Sequence, residues 1–238
     1  RVQPGTPSTI AWSDENSNTF ERNMFYHANA IRSFFKEIDP ALTAMDRPLY
    51  VDLQYGGSEV NAYSNGDSIV FLAVDDASAR MAQGPSVLYH EYGHSVNDLL
   101  YRSLGRDGMV NMACHEGTAD VVSTLLLDDP RIGYGVFTDN PERFIRNVQN
   151  DMIYPDSSVG ESHNDGLILA GAFWDLRNMV SLEYARRIAH FARYGTPDDP
   201  DDGIAFRRWF VETLIADDDD GNLANGTPHM MEIVTAFN

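Results

Sequence analysis

Cysteine is nearly missing from this chain. Cys114 stands alone among 238 residues, so no intrachain disulfide can form, and stability must come from packing and from any bound metal. Basic residues are also scarce: 17 Lys plus Arg face 36 Asp plus Glu, for a formal net charge of −19. Such a field repels phosphate backbones and anionic lipid, which argues against nucleic acid and membrane surfaces as partners. No apolar run approaches the length of a membrane span. No internal repeat or low-complexity tract occurs, and with 43% hydrophobic and 22% charged residues the composition is that of a folded chain. A signal peptide is lacking as well, and Arg1 is not a natural start, so the expectation is a mature or excised domain.

What is present reads as strands first and helices later. Apolar residues at helical spacing (Phe20, Met24, Ala28, Ile31, Phe34, Phe35, Ile38) predict a helix that Asp39-Pro40 ends. Strand-like pieces follow at 49–53, 59–63 and 68–74, the last two joined by an Asn65-Gly66 hairpin turn. Gly84-Pro85 opens a helix running to about Leu100, and another is expected over 112–127. The remainder is predicted mostly helical, at 141–150, 163–180, 182–194 and 204–216, with a short helix after the turn at Gly226. The class is therefore α+β, with an N-terminal twisted sheet and a mainly helical C-terminal part.

The chemistry concentrates in His90-Glu91-Tyr92-Gly93-His94. On a helix, positions i and i+4 share one face, so His90 and His94 can hold one tetrahedral ion. Glu91 lies beside that face, where it can take a proton from a water whose pKa zinc has lowered. A catalytic zinc has three protein ligands and one open position, and the candidates for the third ligand are Glu116, His115, Asp120 and His163. Glu116 and Asp120 are again i and i+4, on a helix whose neighbours Ala113, Ala119, Val121 and Val122 are small or apolar. One of the two carboxylates can bind the ion while the other holds a ligand imidazole by its second nitrogen.

His-Glu-Tyr-Gly-His followed by Glu-Gly-Thr-Ala-Asp resembles the thermolysin-like and fungalysin-like zinc metallopeptidases, the zincins whose third ligand is Glu. The resemblance implies Glu116 as that ligand and Asp120 as the group that orients a ligand His. Asn61-Ala62-Tyr63-Ser64-Asn65-Gly66 resembles the hairpin that precedes the zinc helix in these enzymes, and implies that Asn61, Ala62 and Tyr63 pair with an extended substrate, as an exposed sheet edge can. Ser162-His163-Asn164-Asp165-Gly166 resembles their later His-bearing helix, which implies His163 as a donor to the oxyanion.

The resemblance implies a zincin-type single catalytic domain over 1–238, with sheet, edge strand and zinc helix in 1–100 and helices in 101–238. It implies a zinc endopeptidase secreted from the cell, acting on protein or peptide. Asp217-Asp218-Asp219-Asp220-Gly221-Asn222 resembles a calcium loop, with Asp217, Asp219 and Asp220 as ligands, although Ala216 falls where an EF-hand has its first ligand. Two rival functions are a zinc aminopeptidase, for which Glu59 would anchor the free amino terminus, and a peptide-binding relic without turnover. Glu91 argues against the relic.

Overall fold

The computed structural model describes residues 11–56, 58–75 and 77–238. The first helix, α1 (Thr19–Ile38), begins with a reciprocal cap. Asn18 accepts the Glu21 N–H, and the Glu21 carboxylate accepts the Asn18 N–H, which satisfies two end donors at once. Its buried residues Met24, Ile31 and Phe35 lie along one stripe, as the apolar spacing requires.

Three strands follow: β1 (Tyr50–Tyr55), β2 (Asn61–Ser64) and β3 (Ser68–Ala73). They form one sheet in the order β1-β3-β2, with β3 parallel to β1 and antiparallel to β2. The central strand is the apolar one: Ile69, Val70, Phe71 and Ala73 are buried. The β2–β3 turn is made by Asn65, whose Oδ1 accepts the N–H groups of Asp67 and Ser68, with Gly66 at φ +84°. That is the left-handed geometry an Asn-Gly pair predicts.

The helix α2 (Pro85–Ser103) has Pro at its first position and is buried along nearly its whole length. It runs between the sheet and α3 (Met112–Leu127), whose N-terminus is capped by Asn111. Two apolar cores result. One gathers α1, the sheet and part of α2 around Phe35, Phe71, Leu88 and Tyr92. The other gathers α3 and the later helices around Phe173 and Trp209.

Those later helices are α4 (Ser162–Met179), α5 (Leu182–Phe191), α6 (Asp202–Asp217) and α7 (Met230–Ala236), with 3₁₀ turns at Ala192–Gly195 and Leu223–Asn225. The α+β class agrees with the sequence expectation. The helix expected over 141–150 does not form. Its place is taken by loop and by β5 (Arg146–Asn147), which pairs with β4 (Arg131–Ile132). The backbone there finds its partners across the chain, with Ile145 N–H donating to Ile132 O at 2.7 Å and Val148 N–H to Pro130 O at 2.9 Å. Those contacts replace the local bonds of a helix.

Candidate metal centre

Two adjacent helices supply the centre. His90 and His94 lie one turn apart on α2, and Glu116 comes from the first half of α3. The helices approach closely because Gly93 faces Ala119, where a side chain at Gly93 would put Cβ 2.8 Å from the Ala119 Cα. Ligand atoms of His90, His94 and Glu116 all fall within 4.8 Å of one another, and all three residues are buried. His90 Nε2 and His94 Nε2 are 3.0 Å apart, and Glu116 lies 3.2 Å from His90 Nε2 and 3.6 Å from His94 Nε2.

Asp120, one turn after Glu116, reaches the far side of the first imidazole: Oδ1 is 2.7 Å from His90 Nδ1. With Nδ1–H donating there, the Nε2 lone pair is directed at the shared point. Burial works against charge on His90, but the Asp120 carboxylate overrides it and its pKa is pushed up to about 10. Burial, followed by the neighbouring His90 and His115, holds His94 well below the ordinary value. Burial opposes the charge of Glu116, yet the His90 hydrogen bond and the nearby cations pull its pKa down overall. Two imidazole nitrogens and a carboxylate thus face one point in a buried pocket. Such a donor set requires a cation at its centre, either a proton or a metal, and its chemistry of two imidazoles with one carboxylate fits zinc.

The sequence reading missed Arg146. From β5 its Nε and Nη2 donate to the two Asp120 oxygens at 2.9 and 2.8 Å, a bidentate clamp on a carboxylate that is 1% exposed. Burial would raise the Asp120 pKa, but Arg146 and His90 bring it down to about 2. The available signal was Asp120 itself, since a buried acid needs a cation, but nothing in the sequence pattern singles out the arginine.

Glu91 is 5% exposed, and burial, reinforced by nearby Glu116, raises its pKa. Among the described residues its carboxylate takes no hydrogen bond, so both oxygens remain available. His163 stands at the start of α4, where Glu161 caps the helix, accepting the His163 and Asn164 N–H groups. The same Glu161 lies 2.8 Å from His163 Nδ1, leaving His163 Nε2 3.5 Å from Glu116 Oε1 on the solvent side of the centre. His115 is buried against His94.

Strand β2 is at the edge of the sheet, with Asn61 and Tyr63 exposed. It is tied to α2 by Ser64 Oγ and Ser95 Oγ at 2.8 Å. Asn61 Oδ1 accepts the Ala62 N–H, so one backbone donor of the strand is already engaged. Tyr101 is fully buried and its hydroxyl donates to Pro197 O at 3.1 Å.

The acidic turn near the C-terminus is not arranged as expected. Asp217 is buried and accepts the Thr227 hydroxyl and the His229 N–H, with His229 Nδ1 at 3.1 Å, so it fastens the following turn. The carboxylates that draw together are Asp218, Asp219 and Asp220, on the surface. No helix among the described residues is long and apolar enough to cross a membrane.

No family model matches the sequence, and no curated protein is similar to it in sequence. Among solved structures, the fold is similar to "Precursor of Protealysin, Metalloproteinase from Serratia proteamaculans", with a TM-score of 0.65 and 17% identity over 99% of this chain and 80% of that one.

Proposed function

We propose that this protein is a zinc-dependent endopeptidase. The observation that carries the reading is the convergence of His90 Nε2, His94 Nε2 and the Glu116 carboxylate on one buried point, with the unengaged Glu91 carboxylate alongside. The likeness of the fold to a metalloproteinase precursor supports it. His90, His94 and Glu116 would hold the ion, and zinc there supplies Lewis acidity and a lowered water pKa.

The chain's own residues do the rest. An extended peptide adds to the free edge of β2 along Asn61–Tyr63, which lays its backbone across the centre. Glu91 takes a proton from the attacking water. Burial raises its pKa, which favours holding that proton, and the same carboxyl then delivers it to the leaving amine nitrogen. His163, its Nδ1 held by Glu161, points Nε2 toward the centre and donates to the oxygen that gains charge. Asp120 and Arg146 keep the His90 ring in place throughout.

The deciding experiment is Glu91→Gln. It should bind zinc and melt as the parent does, while hydrolysis of a casein-type substrate falls by about 10²–10⁴-fold; unchanged turnover removes Glu91 from the mechanism. Cleavage of a peptide with a blocked amino terminus separates the endopeptidase from an aminopeptidase, which would leave such a peptide intact.

A further inference from the structure

The two imidazoles of the centre are held in different ways. His90 Nδ1 meets Asp120 at 2.7 Å, whereas His94 Nδ1 is buried and has no hydrogen-bond partner among the described residues. What His94 has instead is a second ring. His115 lies against it with centroids 4.4 Å apart and planes 20° from parallel. His115 is itself fastened. Its Nε2 is 3.3 Å from Asp98 Oδ1, and its backbone carbonyl accepts from Asn97 Nδ2 at 3.4 Å.

Asp98 follows His94 by one helical turn, so the two share a face of α2 and form a slot that the His115 ring fills. Two glycines close around that carboxylate. A Cβ on Gly108 would meet Asp98 Oδ1 at 3.2 Å, and one on Gly66 would meet Oδ2 at 3.4 Å.

We propose that His115 is the positioning residue for His94. The stacked ring, tethered by Asp98, does for this ligand what Asp120 does for His90. The inference rests on the reading of this site as a zinc centre. An imidazole whose Nδ1 has no partner is free to turn about its Cβ–Cγ bond, and each turned state aims Nε2 away from the ion. A flat neighbour at stacking distance removes those states while leaving Nδ1 unengaged.

The test compares zinc affinity of the full chain, by competition against a chromophoric chelator, for the parent, His115→Phe and His115→Gln, with the visible absorption of the cobalt(II) forms as a second readout. Phe keeps a flat ring but not the Asp98 tether, and should lose only several-fold in affinity while keeping the parent's cobalt spectrum. Gln has no ring and should lose about 10–100-fold in affinity and show a changed spectrum. Parent-like affinity in His115→Gln overturns the proposal, and so does a loss in His115→Phe equal to that in His115→Gln. Should His115→Gln fail to fold, Asp98→Ala decides: it releases the ring and should weaken binding by several-fold, and unchanged affinity overturns the proposal. A parent that binds no zinc overturns the zinc reading itself, independently of the ratios among variants.

Discussion

Arg146 and Asp120 show how much of this centre depends on side chains that would touch neither metal nor substrate. The guanidinium neutralises a carboxylate that is 1% exposed, and that carboxylate in turn aims His90. Removing the cation leaves an unpaired buried charge. Arg146→Ala should therefore weaken zinc binding by about 10–100-fold, read by chelator competition, and Arg146→Lys should recover only part because the bidentate fork is lost. His90, Glu91 and His94 were legible in the sequence because helical periodicity alone puts i and i+4 together. Glu116 and Asp120 were legible as a pair for the same reason. Arg146 was not, because its partner is 26 positions away and the strand that carries it is two residues long.

Between elements, the site is assembled by close helix crossings. Gly117 and Gly166 bring α3 and α4 together so tightly that a Cβ on Gly117 would sit 2.5 Å from the Gly166 carbonyl oxygen. Backbone cannot step aside as a side chain can, so Gly117→Ala should destabilise the fold by about 1–3 kcal/mol in urea titrations.

A second inter-element contact is sensitive to pH. Asp39, at the C-terminal end of α1, meets His190 Nε2 of α5 at 3.0 Å and also accepts the Tyr194 hydroxyl. Burial, aided by Arg193, brings the His190 pKa from 6.5 down to about 4. Between those values the unfolded chain binds a proton that the native state does not. Stability is therefore full above the unfolded value, and falls as pH drops toward 4, by up to about 3 kcal/mol. Asp39 faces the same ring with its own pKa lowered, a shift that burial opposes and the Tyr194 and His190 hydrogen bonds bring about, so its contribution is also lost on acidification. His190→Gln should flatten the difference in unfolding free energy between pH 7 and pH 5; an unchanged slope would assign it to other groups. The helices themselves were legible from caps and periodicity. The short β4–β5 pair was not, because its hydrogen bonds cross from 130–132 to 145–148 and no local pattern encodes that.

At the scale of the whole molecule, the formal charge of −19 means that the compact state repels itself. Raising ionic strength from about 10 to about 150 mM screens that repulsion. The melting temperature should rise, by about 2–4 °C for each kcal/mol relieved, and a fall would show that attractive pairs dominate. Zinc at about 100 times its Kd should add about 2.7 kcal/mol, or roughly 5–10 °C, reversed by a chelator. If no shift follows metal addition, the native state has no zinc site.

The sequence by itself determined the helix bearing His90, Glu91 and His94, the hairpin at Asn65-Gly66, the helix bearing Glu116 and Asp120, and the absence of disulfides. Each follows from spacing, turn chemistry or composition, which are local properties. Only the tertiary structure decided that α2 and α3 meet at Gly93 and Ala119, that Arg146 comes back to Asp120, that His115 lies on His94, and that Asp217 belongs to the turn at His229 rather than to the acidic surface. Those relations depend on which surfaces exclude water together, and a one-dimensional pattern carries the faces of each element without saying which faces will meet.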